Sequence, residues 1–287
     1  RGLGDVYKRQ NVHGSTVHVL YYTGFLLFSP HRWINMYIDT HSHIYESEFQ
    51  DDRQEVVQRA VEAGVGRIVL PDIDSGTRPR MLGLAEMYPG IMLPAIGLHP
   101  TSVNENYKQE LAEVVHDLGT RSFCGIGECG IDLYWDKTWY REQVKVFEYQ
   151  LGIAEDASLP VIIHSRDAQE EIFRILKKHP YVRGILHCFA GTVEEARCAI
   201  DMGFLLGIGG VVTFKNSGLA AIVQEIGADH LVLETDSPYL APVPFRGKRN
   251  ESGYIPLIAQ KIADTLKTDV KKIEEITTRN AMNLFTL

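Results

Sequence analysis

The chain has 287 residues, of which 45% are apolar and 23% charged, a composition that can bury a large core and excludes an intrinsically disordered protein. Its 29 basic and 37 acidic residues give a formal net charge of −8, which argues against a protein that binds a nucleic-acid duplex through charge alone. A nucleic-acid substrate stays open if its contacts are local and are assisted by bound cations.

The cysteines indicate a reducing compartment. They form no CxxC pair and are too sparse for a secreted disulfide scaffold, being Cys124, Cys129, Cys188 and Cys198. We therefore predict a cytoplasmic protein.

The first 35 residues do not fit the pattern of the rest of the chain. Val17–Phe28 is apolar without a helical or alternating period, and it is shorter than the roughly 20 residues of a membrane span. Met36 stands one residue before the first predicted strand. We predict that residues 1–35 are a non-native leader translated from upstream sequence, with a degenerate signal peptide as the alternative because Lys8 and Arg9 are basic.

From Met36 onward, short apolar runs alternate with longer amphipathic stretches. The runs predict eight strands, at Tyr37–His41, Arg67–Leu70, Met92–Gly97, Ser122–Glu128, Pro160–His164, Val182–His187, Phe204–Ile208 and Leu231–Thr235. The stretches between and after them predict helices at Asp51–Ala63, Pro79–Tyr88, Lys108–Leu118, Thr138–Ala157, Ala168–Lys178, Val193–Met202, Leu219–Ile226, Tyr254–Leu266 and Val270–Phe285. A strand, helix and parallel strand repeated in this way predicts a single-domain α/β protein, a (β/α)8 TIM barrel over residues 36–287.

Imidazoles and carboxylates stand at the ends of the predicted strands. His41 and His43 are two positions apart, so both side chains project to the same side and can bind one metal ion. Later strands end in four more candidate ligands, Glu128, His164, His187 and Asp236. Each residue alone has an ordinary structural explanation, such as a hydrogen-bonded core histidine or a turn cap. Together they favour a metal site, because buried ionisable groups gathered at one rim would repel or stay unsatisfied without a cation.

Seven motifs in this order carry a resemblance to a known family. They are DTHSH, GLHP, GIGECGID, IIHSR, LHCFAG, ETDSPYLAP and RGKRNE. The chain from Met36 almost to its end resembles the TatD family of metal-dependent deoxyribonucleases, within the amidohydrolase-like barrels. The resemblance implies a binuclear divalent site and hydrolysis of phosphodiester bonds in DNA, often as a 3′ to 5′ exonuclease.

The resemblance also implies a role for each site residue. One ion would be bound by His41, His43 and Asp236 and the other by His164 and His187, with Glu128 bridging the two. His99 in GLHP would lie near the substrate phosphate. Glu128, Asp236 and His99 are thus the predicted catalytic residues, with Asp236 as the proton acceptor and His99 as a donor to a phosphate oxygen. Mg or Mn is the first expectation for the two ions, and Zn stays open because four imidazoles suit it well.

Two basic segments, after the seventh and the eighth predicted strands, lie at the same rim. We predict that they contact DNA, as a single strand or at a 3′ end. The basic residues are Lys215, Arg246, Lys248 and Arg249. The alternative is a solvated basic loop. Tyr134 and Trp135 are either a base-stacking pair or ordinary loop packing. We expect no membrane segment and no obligate protein partner.

Two other functions stay open from the sequence. The same site could hydrolyse carboxylic esters or amides, including the aminoacyl ester of tRNA, because barrels exchange substrates by altering loops. A non-catalytic metal-binding barrel is the third possibility.

Overall fold

Eight short parallel strands carry the architecture of the computed structural model, which describes residues 36–287. The strands are β1 Tyr37–Asp39, β2 Val65–Leu70, β3 Met92–Pro94, β4 Ile126–Asp132, β5 Val161–Arg166, β6 Gly184–Leu186, β7 Phe204–Ile208 and β8 Leu231–Leu233. The helices are α1 Arg53–Glu62, α2 Arg78–Met87, α3 Tyr107–Leu118, α4 Tyr140–Ala157, α5 Gln169–Leu176, α6 Val193–Asp201, α7 Leu219–Ile226, α8 Ile255–Leu266 and α9 Val270–Phe285. The leader prediction concerns residues outside the described range.

The strands close into a cylinder through two additional bridges. β1 to β3 form one parallel set and β4 to β8 the other. Ile96 pairs with Ile126 to join β3 to β4, and Ser42 pairs with Ser237 to join the first strand to the last. The hydrogen bond from Thr40 N–H to the Leu233 carbonyl, at 2.9 Å, completes the second junction. The predicted (β/α)8 barrel is confirmed.

The amino end of the barrel is filled by apolar side chains. One buried layer inside the cylinder consists of Ile38, Val69, Ala95, Ile162, Ile185 and Val232. Ala281 and Phe285 of α9 pack against the same layer, so the last helix covers this end. A functional site must therefore open at the carboxyl end of the strands, as is usual for this fold.

β4 differs from its prediction. The apolar run suggested Ser122–Glu128, whereas the strand spans Ile126–Asp132, so Glu128 lies within it and Asp132 lies at its carboxyl end. Pairing with β5 continues past Glu128 because Gly130 lies directly against the β5 backbone at His164. A Cβ at Gly130 would overlap the carbonyl oxygen of His164, and the positive φ of 140° also favours glycine there.

Candidate metal centre

Glu128 lies at the centre of the residues that the sequence predicted as ligands. Its side chain is 2% exposed, and its two carboxylate oxygens face two different sets of imidazoles. The first set comes from the segment after β1, and the second from β5 and the segment after β6. The barrel thus brings together residues that are far apart in the chain.

The first set faces Glu128 Oε2. His41 Nε2 lies 3.0 Å and His43 Nε2 lies 3.4 Å from this oxygen. The two Nε2 atoms are 3.1 Å apart. Asp236 Oδ1 lies 3.7 Å from His41 Nε2 and 3.8 Å from His43 Nε2, so its carboxylate adjoins the same space.

The second set faces Glu128 Oε1. His164 Nδ1 lies 2.7 Å and His187 Nε2 lies 2.8 Å from this oxygen, and the two nitrogens are 3.3 Å apart. His99 Nε2 lies 3.3 Å from the same oxygen on another side.

The spacing of these atoms suits metal ligands. Two ligands held 2.0–2.2 Å from one ion are about 2.9–3.5 Å apart, which is the separation between the two imidazole nitrogens within each set. His41, His43 and Glu128 form one group close enough to hold an ion, and His99, Glu128 and His164 form another. The buried residues therefore fit a divalent metal centre.

The electrostatics of the centre favour an ionised Glu128. Burial raises the pKa of this carboxyl, but His187, His99 and His41 outweigh burial and hold the pKa well below its usual value. Burial lowers the pKa of His41 well below that of a free imidazole. Although burial opposes it, the Glu128 carboxylate raises the pKa of His187 to about 10, so a cation that binds here displaces the proton of that ring.

Two further side chains orient the histidines. The Tyr45 hydroxyl donates to the carbonyl oxygen of Pro71, so it accepts from His43 Nδ1 at 2.8 Å and leaves the lone pair of Nε2 toward Glu128. Asp132 Oδ2 lies 2.9 Å from His164 Nε2, which leaves Nδ1 toward the centre.

Tyr45 and Asp132 were not predicted from the sequence as residues of the site. Asp132 could have been suspected because it closes the GIGECGID motif, and Tyr45 because it continues the alternation of His41 and His43.

Glu234 is another residue of the site that was not predicted from the sequence. It is fully buried, its carboxylate accepts from Cys188 N–H, and burial raises its pKa to about 8. Its Oε1 lies 3.8 Å from Nδ1 of His187, the ring nitrogen that does not face Glu128.

His99 differs from the other imidazoles in its hydrogen bonds. Its Nδ1 accepts from the backbone N–H of Thr101 at 3.1 Å, so in the neutral ring the proton resides on Nε2. Distance alone would admit His99 as a ligand of an ion at Glu128. The protonated Nε2 instead makes His99 a hydrogen-bond donor toward the centre.

The predicted basic residues fall into two classes. Lys215, Arg246 and Lys248 are exposed, and the Arg246 guanidinium lies 4.5 Å from the centre of the Phe214 ring, which joins the loops after β7 and β8. Arg249 instead makes two hydrogen bonds to Asp52, at 2.8 and 2.6 Å. A phosphate would have to compete with this ion pair, so the contact predicted for Arg249 stays a prediction without support from the geometry.

Comparison with known proteins places this centre in a family. Residues 38–286 match the family described as TatD related DNase. The chain belongs to the TatD family. The resemblance carried by the seven motifs is thereby confirmed.

Relatives of this TatD-family chain cover nearly all of its barrel. The uncharacterized metal-dependent hydrolase YabD of Bacillus subtilis (strain 168) is 40% identical over 253 residues, which cover 87% of this chain and 99% of YabD. The 3′-5′ ssDNA/RNA exonuclease TatD of Pectobacterium parmentieri (strain WPP163) is 34% identical over 252 residues, covering 84% and 96%. The crystal structure of the TatD homolog YjjV of Escherichia coli K12 has a TM-score of 0.83 at 28% identity, covering 88% and 99%. The predicted enzyme class, a metal-dependent hydrolase, is confirmed.

The TatD-family barrel shows no membrane-crossing element in the part of the chain that the structure describes. Over residues 36–287, every helix is too short or too polar to span a bilayer.

Proposed function

We propose that this chain hydrolyses phosphodiester bonds of single-stranded nucleic acid and degrades DNA from its 3′ end, and that the residues around Glu128 would hold two divalent ions. One observation carries the proposal. The two oxygens of one buried carboxylate face separate pairs of imidazole nitrogens, at 3.0 and 3.4 Å on one side and at 2.7 and 2.8 Å on the other. A carboxylate that serves two ligand sets is the arrangement expected of a metal bridge.

In this proposal His41 and His43 with Asp236 would hold one ion, and His164 and His187 would hold the other. When bound, two divalent ions supply a water of lowered pKa and neutralise the negative charge that develops at phosphorus. Carboxylates suit Mg or Mn and imidazoles suit Zn, so Mg or Mn is the first proposal for the two ions and Zn is the alternative.

The side chains around the ions would move and hold the protons. Asp236 lies beside the first ligand set, and burial raises its pKa, so it is placed to accept the proton of the attacking water. His99 presents its protonated Nε2 and would donate to a non-bridging phosphate oxygen.

A nucleic-acid substrate is supported by charge and by a relative. Lys215, Arg246 and Lys248 bring positive charge to the rim of a chain whose net charge is −8. The relative from Pectobacterium parmentieri is named an exonuclease of single-stranded DNA and RNA. Local basic loops and bound cations would together attract phosphates to an otherwise acidic protein. We retain the cytoplasm as the proposed location.

Three substrates test the proposal. Protein stripped of metal and reloaded with Mg, Mn or Zn should cleave single-stranded DNA and a p-nitrophenyl phosphodiester, and should leave an aminoacyl ester intact. Cleavage of the aminoacyl ester alone would replace the proposal with an ester hydrolase. Survival of all three substrates under every metal would leave a non-catalytic metal-binding barrel.

Tyr45→Phe should weaken metal binding while preserving the fold. The hydroxyl that orients His43 is lost, and removing such a partner lowers metal affinity about 10- to 100-fold. Competition with a chromogenic chelator measures the affinity. Tyr149→Phe on α4 is the matched control, because this tyrosine is exposed and remote from the centre. Equal affinities in both variants would show that the hydrogen bond is irrelevant to the metal.

Lys248→Ala should weaken binding of single-stranded DNA and lower by about one the slope of log affinity against log salt. The side chain is exposed in the loop after β8, where it can contact a phosphate. Fluorescence anisotropy of a labelled oligonucleotide across a salt series gives the slope. Lys177→Ala at the end of α5 is the control, since it lies at the amino end of the barrel. An unchanged slope would remove Lys248 from the substrate contacts.

A further inference from the structure

Two aromatic side chains stand in solvent just beyond the metal centre. Tyr134 is 54% exposed and Trp135 is 69% exposed, in the segment that follows β4. Their rings meet edge to face with centroids 4.9 Å apart. Loop packing would bury such rings, because each aromatic side chain gains stability by leaving water. Because both rings are exposed, packing within the loop does not explain why they are there.

A guanidinium completes this surface. Arg166, at the carboxyl end of β5, lies 3.9 Å from the centre of the Tyr134 ring and 5.3 Å from that of Trp135. Stacking uses a face of the guanidinium and leaves its N–H groups in the plane able to bind a phosphate or carboxylate. We name Tyr134, Trp135 and Arg166 the aromatic shelf.

The aromatic shelf is tied to the metal centre through one buried carboxylate. Asp132 Oδ1 accepts from the backbone N–H groups of Tyr134, at 2.9 Å, and Trp135, at 3.2 Å. Asp132 Oδ2 lies 2.9 Å from His164 Nε2, and the other nitrogen of His164 lies 2.7 Å from Glu128. The base of the shelf thus has a set position relative to the bridging carboxylate.

The chemistry of the aromatic shelf selects its ligand. Exposed π faces bind flat rings, and an adjacent guanidinium binds an anion. A nucleotide has both a flat base and a phosphate. A base paired within a duplex cannot reach the shelf without first being unstacked, so the shelf would favour unpaired ends.

We propose that the aromatic shelf binds the unpaired 3′-terminal nucleobase of a nucleic-acid strand and so positions the adjacent phosphodiester at the metal centre. This inference rests on the proposed phosphodiesterase function. In it the base stacks on Trp135 and Tyr134, and Arg166 binds a phosphate of the same strand. Stacking is tolerant of sequence because every base has a π face.

Trp135→Ala should raise KM for a single-stranded oligonucleotide roughly tenfold, as expected for loss of one base stack. The rate on bis(p-nitrophenyl) phosphate, which has no base, should stay within about twofold. Tyr181→Ala is the matched control. This tyrosine is 86% exposed but precedes β6, at the amino end of the barrel, so both rates should be unchanged. An unchanged oligonucleotide KM in Trp135→Ala would overturn the proposal.

An oligonucleotide whose 3′-terminal nucleotide lacks its base gives a second test. The natural protein should bind this strand roughly tenfold more weakly than the intact strand, whereas Trp135→Ala should bind both equally. A strand lacking only its 5′-terminal base should bind the natural protein normally. A tenfold loss that persists in Trp135→Ala would show that the base binds elsewhere.

These binding measurements use anisotropy of labelled strands and need no turnover. If the natural protein cleaves no phosphodiester under any metal, the proposed function fails while the base-dependent binding is still measured. If the natural protein cleaves both substrates but Trp135→Ala behaves like it throughout, only the shelf proposal fails.

Discussion

We expect Glu128→Gln to reduce phosphodiester hydrolysis by at least about 10³-fold, because each bound ion contributes several kcal/mol of transition-state stabilisation. Both oxygens of the natural carboxylate face imidazole nitrogens, so the substitution affects both ligand sets at once. Glutamine has nearly the same shape but lacks the negative charge and offers an amide N–H₂ in place of one acceptor. Neither ion would then be held tightly.

Metal content and hydrolysis, measured on the same preparation, test this expectation. Plasma emission spectrometry should find two ions in the natural protein and fewer than one in Glu128→Gln. Asp72→Asn is a matched control, because Asp72 is a buried carboxylate that pairs with Arg78 at 2.7 Å rather than with the histidines. The control should lose stability but keep its metal. A Glu128→Gln protein with two ions and full turnover would contradict the bridge.

Removal of metal should lower the melting temperature by about 10 °C for each ion lost. Binding at a concentration of 1,000 times Kd stabilises a folded protein by about 4 kcal/mol. In a protein of 150–250 residues, each kcal/mol corresponds to roughly 2–4 °C. Without ions, the imidazoles of both sets lie 2.7–3.4 Å from a single buried carboxylate, and only their protons balance its charge.

Calorimetry of stripped and reloaded protein measures the shift. The melting temperature should rise with added Mn or Zn and approach that of the untreated protein. Glu128→Gln supplies the control, since its melting temperature should respond weakly to either metal. If the natural protein melts at one temperature with and without ions, the centre does not bind metal in the folded state.

Prediction of the fold from the sequence succeeded where the local pattern was strong. The helix predicted at Leu219–Ile226 has those bounds in the structure, and the strand predicted at Phe204–Ile208 does too. β4 was misplaced because its carboxyl half contains Glu128, Cys129 and Gly130, which interrupt an apolar run. Its extent depends on pairing with β5, and that partner is about 35 residues away in the chain.

The residues of the candidate site also divide into those with a local signal in the sequence and those whose role depends on distant partners. The histidines were recognisable because each ends or follows an apolar run, and the barrel brings those ends to one rim. Tyr45 and Asp132 carry only a weak signal in the sequence, since their roles arise from hydrogen bonds to ring nitrogens of His43 and His164. The role of Arg249 was also invisible, because its partner Asp52 lies 197 positions earlier.

Periodicity and residue type in the chain alone determined the alternation of strands and helices, the barrel class and the set of candidate ligands. These features are local, since a strand or helix period and a strand end are properties of neighbouring residues. Only the tertiary structure decided which oxygen of Glu128 faces which imidazoles, which nitrogen of each ring is oriented inward, and that Asp132 links the aromatic shelf to His164. Those relations depend on distances between strands far apart in the chain, and such distances are set when the barrel closes.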